Sequence, residues 1–72
     1  MSVLVRILWD AEAAVWVAES DDVPGLALEC GSFDALIERL RYAIPELMEL
    51  NGQKPQSLQL RFVTERLDQI AV

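Results

Sequence analysis

The sequence contains no histidine and a single cysteine, Cys30. Without histidine there is no imidazole to act as a general base near neutral pH, and a Cys/His metal site is excluded. One cysteine cannot form a disulfide within the chain, and its position at the end of a predicted strand indicates a small apolar core residue. Phosphate-binding glycine loops and the GxSxG and CxxC motifs are also missing. These absences predict a protein that is not an enzyme and uses no cofactor or metal ion.

Basic residues are few, with six lysines and arginines against twelve aspartates and glutamates, so the formal net charge is −6. A charge of this sign opposes direct binding to a phosphate backbone, and no nucleic-acid partner is expected. A negative net charge favours the binding of a basic protein partner instead.

Long apolar runs are missing as well, whereas about 20 apolar residues are needed to cross a bilayer. The apolar stretch near the start is interrupted by Arg6 and alternates like a strand, which differs from a signal peptide. We therefore expect no membrane association and a cytoplasmic location.

The chain has only 72 residues, yet 53% of them are hydrophobic. This length has room for one domain, residues 1–72, and a domain so small buries only about 60% of the surface of its unfolded chain. More apolar surface is present than such a monomer can easily bury, so the composition predicts a homo-oligomer.

Residues 32–51 have the pattern of one amphipathic helix. Ser32 is the predicted N-cap, Asn51-Gly52 supplies a predicted left-handed C-terminal cap, and Pro45, on the polar side, is expected to kink the helix without ending it. Phe33 and the apolar residues that follow it at helical spacing define one wide face. The other members of this predicted buried face are Leu36, Ile37, Leu40, Ala43, Ile44, Leu47, Met48 and Leu50.

Alternating apolar and polar residues predict four strands, over residues 3–9, 14–19, 26–30 and 57–63. The first two are expected to form an antiparallel hairpin, and Pro24-Gly25 is expected to form a type II turn before the third. Residues 64–72 fit either a helix or a strand, and continued strand is favoured. The order β-β-β-α-β predicts a two-layer α+β fold, an antiparallel sheet with one long helix on one face.

Acidic residues concentrate near the ends of the first three predicted strands. If their carboxylates converged they could hold Mg²⁺ and support nuclease chemistry, but turn sequences favour aspartate for its local hydrogen bonds, and solvated loop residues are the preferred interpretation. Trp9 and Trp16 flank the hairpin loop and are expected to pack against each other across it. The acidic residues concerned are Asp10, Glu12, Glu19, Asp21, Asp22 and Glu29.

Several short motifs resemble the HicB-like superfamily, and most closely its short, stand-alone bacterial branch, a domain of unknown function. They are Trp9-Asp10, Glu12, Trp16-Val17-Ala18, the turn from Ser20 through Asp22-Val23-Pro24-Gly25-Leu26, Gly31-Ser32 and Leu50-Asn51-Gly52. The resemblance covers about residues 3–63. It implies a truncated ribonuclease-H-like β-β-β-α-β fold and association through strand edges. Because no residues remain for a separate DNA-binding module, operator binding is not expected.

The resemblance implies a function as well. HicB proteins are antitoxins that mask a small basic toxin, which cleaves messenger RNA. The leading hypothesis is accordingly a non-enzymatic protein-binding domain, an antitoxin-type acidic inhibitor of such a toxin. The alternatives are an oligomeric scaffold with no toxin partner and a residual metal-dependent nuclease. The predicted partner contacts are Asp10, Glu12, Trp16, Asp21 and Asp22.

Overall fold

The computed structural model describes all 72 residues and contains four strands and one helix. In chain order these are β1 (Ser2–Asp10), β2 (Val15–Glu19), β3 (Leu28–Cys30), α1 (Phe33–Leu50) and β4 (Gln59–Glu65). The α+β class, the order β-β-β-α-β and the single long helix are therefore confirmed.

The sheet has the strand order β3-β2-β1-β4, with β1 in the interior. The β1–β2 and β2–β3 pairs are antiparallel, as predicted for the hairpin, but β4 pairs with β1 in parallel, from Ser2 opposite Gln59 to Leu8 opposite Glu65. The expectation of a wholly antiparallel sheet is thus corrected to a mixed one. The reason is that α1 returns the chain to the starting end of β1, so that β4 runs in the same direction as β1.

The core lies between one face of the sheet and α1. Val3, Val5 and Ile7 alternate along β1 and are fully buried against the helix. The four buried residues of the helix lie at spacings of four on the predicted face, and burial contributes about 2 kcal/mol of transfer free energy per large aliphatic side chain. They are Leu36, Leu40, Ile44 and Met48. Leu50, placed on the same predicted face, is instead 82% exposed, because it lies at the margin of that face, about 100° around the helix axis from the line of the four buried residues.

Both predicted helix caps are present. The Ser32 side chain accepts a hydrogen bond from the backbone N–H of Ala35 (3.3 Å). At the other end, Gly52 has a φ of 79°, its N–H donates to the carbonyl of Glu49 (3.0 Å), and the N–H of Gln53 donates to that of Met48 (2.8 Å). This pair of bonds is a Schellman motif, which satisfies carbonyls that the helix end leaves free. The helix runs through Pro45 as one element, as predicted.

The predicted type II turn at Pro24-Gly25 is also confirmed. Gly25 has a φ of 86°, and the N–H of Leu26 donates to the carbonyl of Val23 (3.2 Å). Because Leu26 belongs to this turn, β3 begins at Leu28, two residues later than predicted.

Residues 66–72 depart from the prediction of a continued strand. Thr64 and Glu65 extend β4, and the Thr64 hydroxyl donates to the carbonyl of Ile7 (2.8 Å), but the following seven residues have no regular secondary structure. We call residues 66–72 the extended arm.

The hairpin loop between β1 and β2 contains a strained residue, Ala14, with a φ of 55°. This left-handed conformation is unfavourable for a residue with a Cβ atom. Replacing Ala14 with glycine is expected to raise the free energy of unfolding by about 1 kcal/mol, which is about 4–8 °C in Tm for a domain of this size. Thermal unfolding followed by circular dichroism measures this gain. The control is Ala13→Gly, at ordinary φ, where glycine is expected to destabilise; an equal gain there would show that strain at Ala14 is not the cause.

Candidate protein-binding surfaces

The predicted contact residues lie at two opposite ends of the sheet. Asp10 and Glu12 belong to the hairpin loop at the end of β1, whereas Asp21 and Asp22 follow the end of β2. Antiparallel neighbouring strands end at opposite ends of the sheet. Asp10 lies six positions along β1 from Leu4, which contacts Asp22, and this separation corresponds to about 20 Å. No three His, Cys, Asp or Glu side chains come together where they could hold a metal ion. The convergence of carboxylates that the nuclease alternative required is therefore not observed.

Of the four predicted acidic contacts, Asp10 and Asp22 form hydrogen bonds that stabilise the fold. The Asp10 carboxylate accepts hydrogen bonds from the backbone N–H groups of Glu12 and Ala13, both at 3.1 Å, and so closes the hairpin loop. At the other end, the Asp22 carboxylate accepts from the backbone N–H of Leu4 (2.9 Å) and the Ser20 hydroxyl donates to the carbonyl of Leu4 (2.6 Å). Because β2 has ended at Glu19, these two side chains supply the hydrogen bonds that a longer β2 would have made to β1.

Asp21 takes part in a small ion-pair network on the sheet. The Arg6 guanidinium lies 3.1 Å from the Glu19 carboxylate and 3.4 Å from that of Asp21. These hydrogen bonds, first that to Glu19 and then that to Asp21, raise the pKa of Arg6 above its usual value, so the guanidinium stays charged. Among the four predicted acidic contacts, only the Glu12 side chain has no hydrogen bond or ion pair within the chain.

Trp16, the fifth predicted contact, belongs to an aromatic cluster. Its ring centroid lies 5.1 Å from that of Trp9 across the hairpin and 5.1 Å from that of Phe33 at the start of α1. The guanidinium of Arg66 lies over Trp9, 4.2 Å from the ring centroid. The predicted packing of the two tryptophans is confirmed, and Trp16 is half-buried within it. Contact between Trp16 and a partner stays a prediction.

The edge strand β4 combines a free backbone edge with a shallow apolar groove. The backbone of α1 lies nearest to β3 and β2, so it does not fully cover the side chains of β4. We call the resulting depression the β4 groove. It is lined by Leu58, Leu60 and Phe62, which are half-buried, and by Arg41 and Pro45 of the helix. The alternation of residues 57–63 predicted this apolar face, but only the lateral position of the helix determines that the face is partly exposed.

The backbone of β4 also has hydrogen-bonding groups that face away from the sheet. The N–H of Gln59 donates to the carbonyl of Met1 (2.9 Å), so Gln59 points toward β1. Backbone direction alternates along a strand, and the parallel register continues without a break to Glu65. The N–H groups of Leu60 and Phe62 therefore point outward, where a further strand could bind them.

The sheet surface opposite α1 is uncovered, and we call it the helix-free face. Leu4 and Leu8 of β1 and Val63 of β4 are 38%, 41% and 45% exposed on it, and the Arg6–Glu19 ion pair lies among them. Such a group of exposed aliphatic side chains on one face of a sheet is typical of an interaction surface.

The helix α1 does not combine the length and the apolar character that a membrane-spanning helix needs. A family model described as "Domain of unknown function (DUF1902)" matches residues 2–72. Among solved structures, the crystal structure of hypothetical protein TTHA1013 from the extremely thermophilic bacterium Thermus thermophilus is similar to this chain. The two are 44% identical, with a TM-score of 0.84 over 97% of this chain and 100% of the other. No curated protein sequence matches the chain.

Proposed function

The chain belongs to the family of the domain of unknown function DUF1902, and from its surface we propose that it is a non-enzymatic protein-binding domain of HicB-like type. In this proposal it acts as an antitoxin-type acidic inhibitor of a small basic RNA-cleaving toxin. The observation that carries the proposal is the unpaired edge of β4 beside the β4 groove, in a chain with a formal net charge of −6.

The proposed binding mode is strand addition. An extended segment of the partner pairs with the outward N–H and C=O groups of β4, which gives affinity through main-chain hydrogen bonds. Alternate side chains of that segment enter the β4 groove and contact Leu60 and Phe62, which gives specificity. No rearrangement of the sheet is required, because β4 is already at its edge.

The net charge acts at longer range. A basic partner is attracted by the excess of carboxylates, which raises the association rate and makes it sensitive to salt. Asp10, Asp21 and Asp22 have hydrogen-bonding partners within the chain, so they contribute to this attraction mainly as fixed charges. Glu12, whose side chain makes no such bond, is the member of the predicted set best placed for a direct ion pair.

Co-purification at two salt concentrations tests the proposal. The tagged chain is expressed together with the proteins encoded beside it and recovered at about 50 mM and about 500 mM salt, where screening lengths differ roughly threefold. We expect a small basic protein to be retained at low salt, to be largely released at high salt, and to lose its RNA-cleaving activity when bound. Failure to retain any basic protein at low salt would contradict the proposal.

A second function is favoured by a specific observation. Only nine residues are buried, and several large aliphatic side chains are exposed, as expected for a chain that buries further surface in its own oligomer. In this alternative the protein is a self-contained oligomeric scaffold with no toxin partner. Recovery of the chain alone as a defined oligomer, at both salt concentrations, would favour it.

A further inference from the structure

We propose that the extended arm of one copy covers the helix-free face of a second copy, and that two copies exchange arms reciprocally in a dimer. The arm supplies exposed Leu67 and Ile70, and the face supplies exposed Leu8 and Val63. This interface is separate from the β4 edge, so it does not depend on the function proposed above.

The arm projects from the body of the domain. The molecule measures 51 × 18 × 18 Å along its principal axes. The nine residues of β1 account for about 30 Å of the long axis, and seven extended residues span about another 20 Å. Leu67, Ile70 and Val72 are 84%, 78% and 117% exposed, so none of the large aliphatic side chains of the arm is buried by its own domain. Three uncovered aliphatic side chains in seven residues indicate a segment that packs against another molecule.

The root of the arm lies at the end of the sheet, where Leu67 flanks Leu8 and Trp9 of its own chain without being buried by them. Arg66 stacks on Trp9 and lies 3.4 Å from the Asp68 carboxylate. Trp9 continues the two-residue spacing of the buried side chains Val5 and Ile7 and therefore lies on the helix side of the sheet. To cover its own opposite face, the arm would have to turn back along the sheet, and the exposure of Leu67, Ile70 and Val72 shows that it does not pack there.

The exposed area matches what a dimer of this kind needs. A compact monomer of 8.1 kDa exposes about 4,500 Å². This chain exposes 5300 Å². The excess is about 800 Å², which is the area that each partner typically contributes to a stable interface. A second copy is the favoured occupant, because arm and face are both present in every chain and a two-fold axis would pair each arm with the other copy's face.

Sedimentation velocity over about 1–100 µM protein, a range that brackets micromolar affinity, tests the proposal with two double variants and one single variant. The arm variant is Leu67→Asp with Ile70→Asp, and the face variant is Leu8→Asp with Val63→Asp. The control is Tyr42→Asp, which places one such negative charge on the outer side of α1, where Tyr42 is 68% exposed. The arm variant changes no buried side chain, so its fold is expected to persist, and circular dichroism checks this for all three. Leu8→Ser replaces the face variant if that variant fails to fold.

The wild type and Tyr42→Asp are expected to dimerise alike, while the arm and face variants each raise the dimer dissociation constant at least about 100-fold. Mixing the arm and face variants is expected to restore part of the association, because the intact face of one accepts the intact arm of the other. Three results would overturn the proposal: a monomeric wild type, a dimer that is indifferent to the arm substitutions, or a mixture that gains nothing over its components. The first would indicate that the arm folds back or binds a different protein, and the second would indicate pairing through β4.

Discussion

Replacing Leu40 with alanine is expected to lower the free energy of unfolding by about 2–5 kcal/mol. Leu40 is fully buried at the middle of α1, among side chains that fill the space between the helix and β1. The substitution removes that contact area and leaves a cavity that the neighbouring side chains fill only in part. A chain of this length has a total stability of roughly 4–11 kcal/mol, so one substitution is expected to remove a large share of it.

The control is Leu50→Ala, the same change in the same helix at a side chain that is 82% exposed. It is expected to alter stability by less than about 0.5 kcal/mol. Urea unfolding at one fixed protein concentration measures both, because association adds to apparent stability. Equal losses at the two positions would mean that the helix is buried on both sides in solution, and that Leu50 lies in an interface.

Replacing Leu60 with proline is expected to weaken binding of the basic partner at least about tenfold. The substitution removes one of the outward N–H groups of β4, that of residue 60, and places a ring where an added strand would approach. Proline is compatible with an edge strand, and the inward hydrogen bonds of Gln59 and Arg61 to β1 remain in place. Stability is therefore expected to change much less than binding.

Leu60→Ala separates the backbone effect from the side-chain effect. Both variants shorten the side chain in the β4 groove, but only proline removes the N–H. We expect Leu60→Ala to bind more tightly than Leu60→Pro, with isothermal titration calorimetry as the measurement. If alanine and proline weaken binding to the same extent, the partner uses the groove without adding a strand.

The parts of the fold that sequence patterns predicted are those with local causes. The helix follows from apolar residues at helical spacing together with Ser32 and Gly52 at its ends, and the turn follows from Pro24-Gly25. Each depends on hydrogen bonds within a few residues of chain, so the sequence specifies them directly. The exposed position of Leu50 shows the limit, since helical spacing does not reveal how wide a face of the helix the sheet covers.

Features set by distant contacts could not be predicted in the same way. Alternation in residues 57–63 indicates a strand but carries no information about direction, and β4 proved to be parallel to β1. The arm was predicted as strand because Arg66, Asp68 and Ile70 alternate acceptably, yet no neighbouring strand is available to pair with it. Strand pairing depends on the tertiary context more than on intrinsic preference.

The candidate site was predicted only in part. The two tryptophans pack as expected, because a short hairpin places them opposite each other. The acidic residues were grouped by their closeness to strand ends. Because β1 and β2 are antiparallel, however, the last residues of these two strands lie at opposite ends of the sheet. Asp10 and Asp22 instead satisfy backbone groups, a local role that is common for aspartate beside turns. The β4 edge became apparent only with the strand order.

The parallel pairing of β1 with β4 has a kinetic consequence. Ser2 is joined to Gln59 across nearly the whole chain, whereas the β1–β2 hairpin closes within about ten residues. Long-range pairing of this kind forms late and slowly, since a large loop must be ordered before any contact compensates for it. During synthesis, the backbone groups of β1 that pair with β4 therefore stay unpaired until residues 59–65 have been made. In that interval the nascent chain presents its most apolar strand to other chains, and this is the stage at which it is most prone to aggregate.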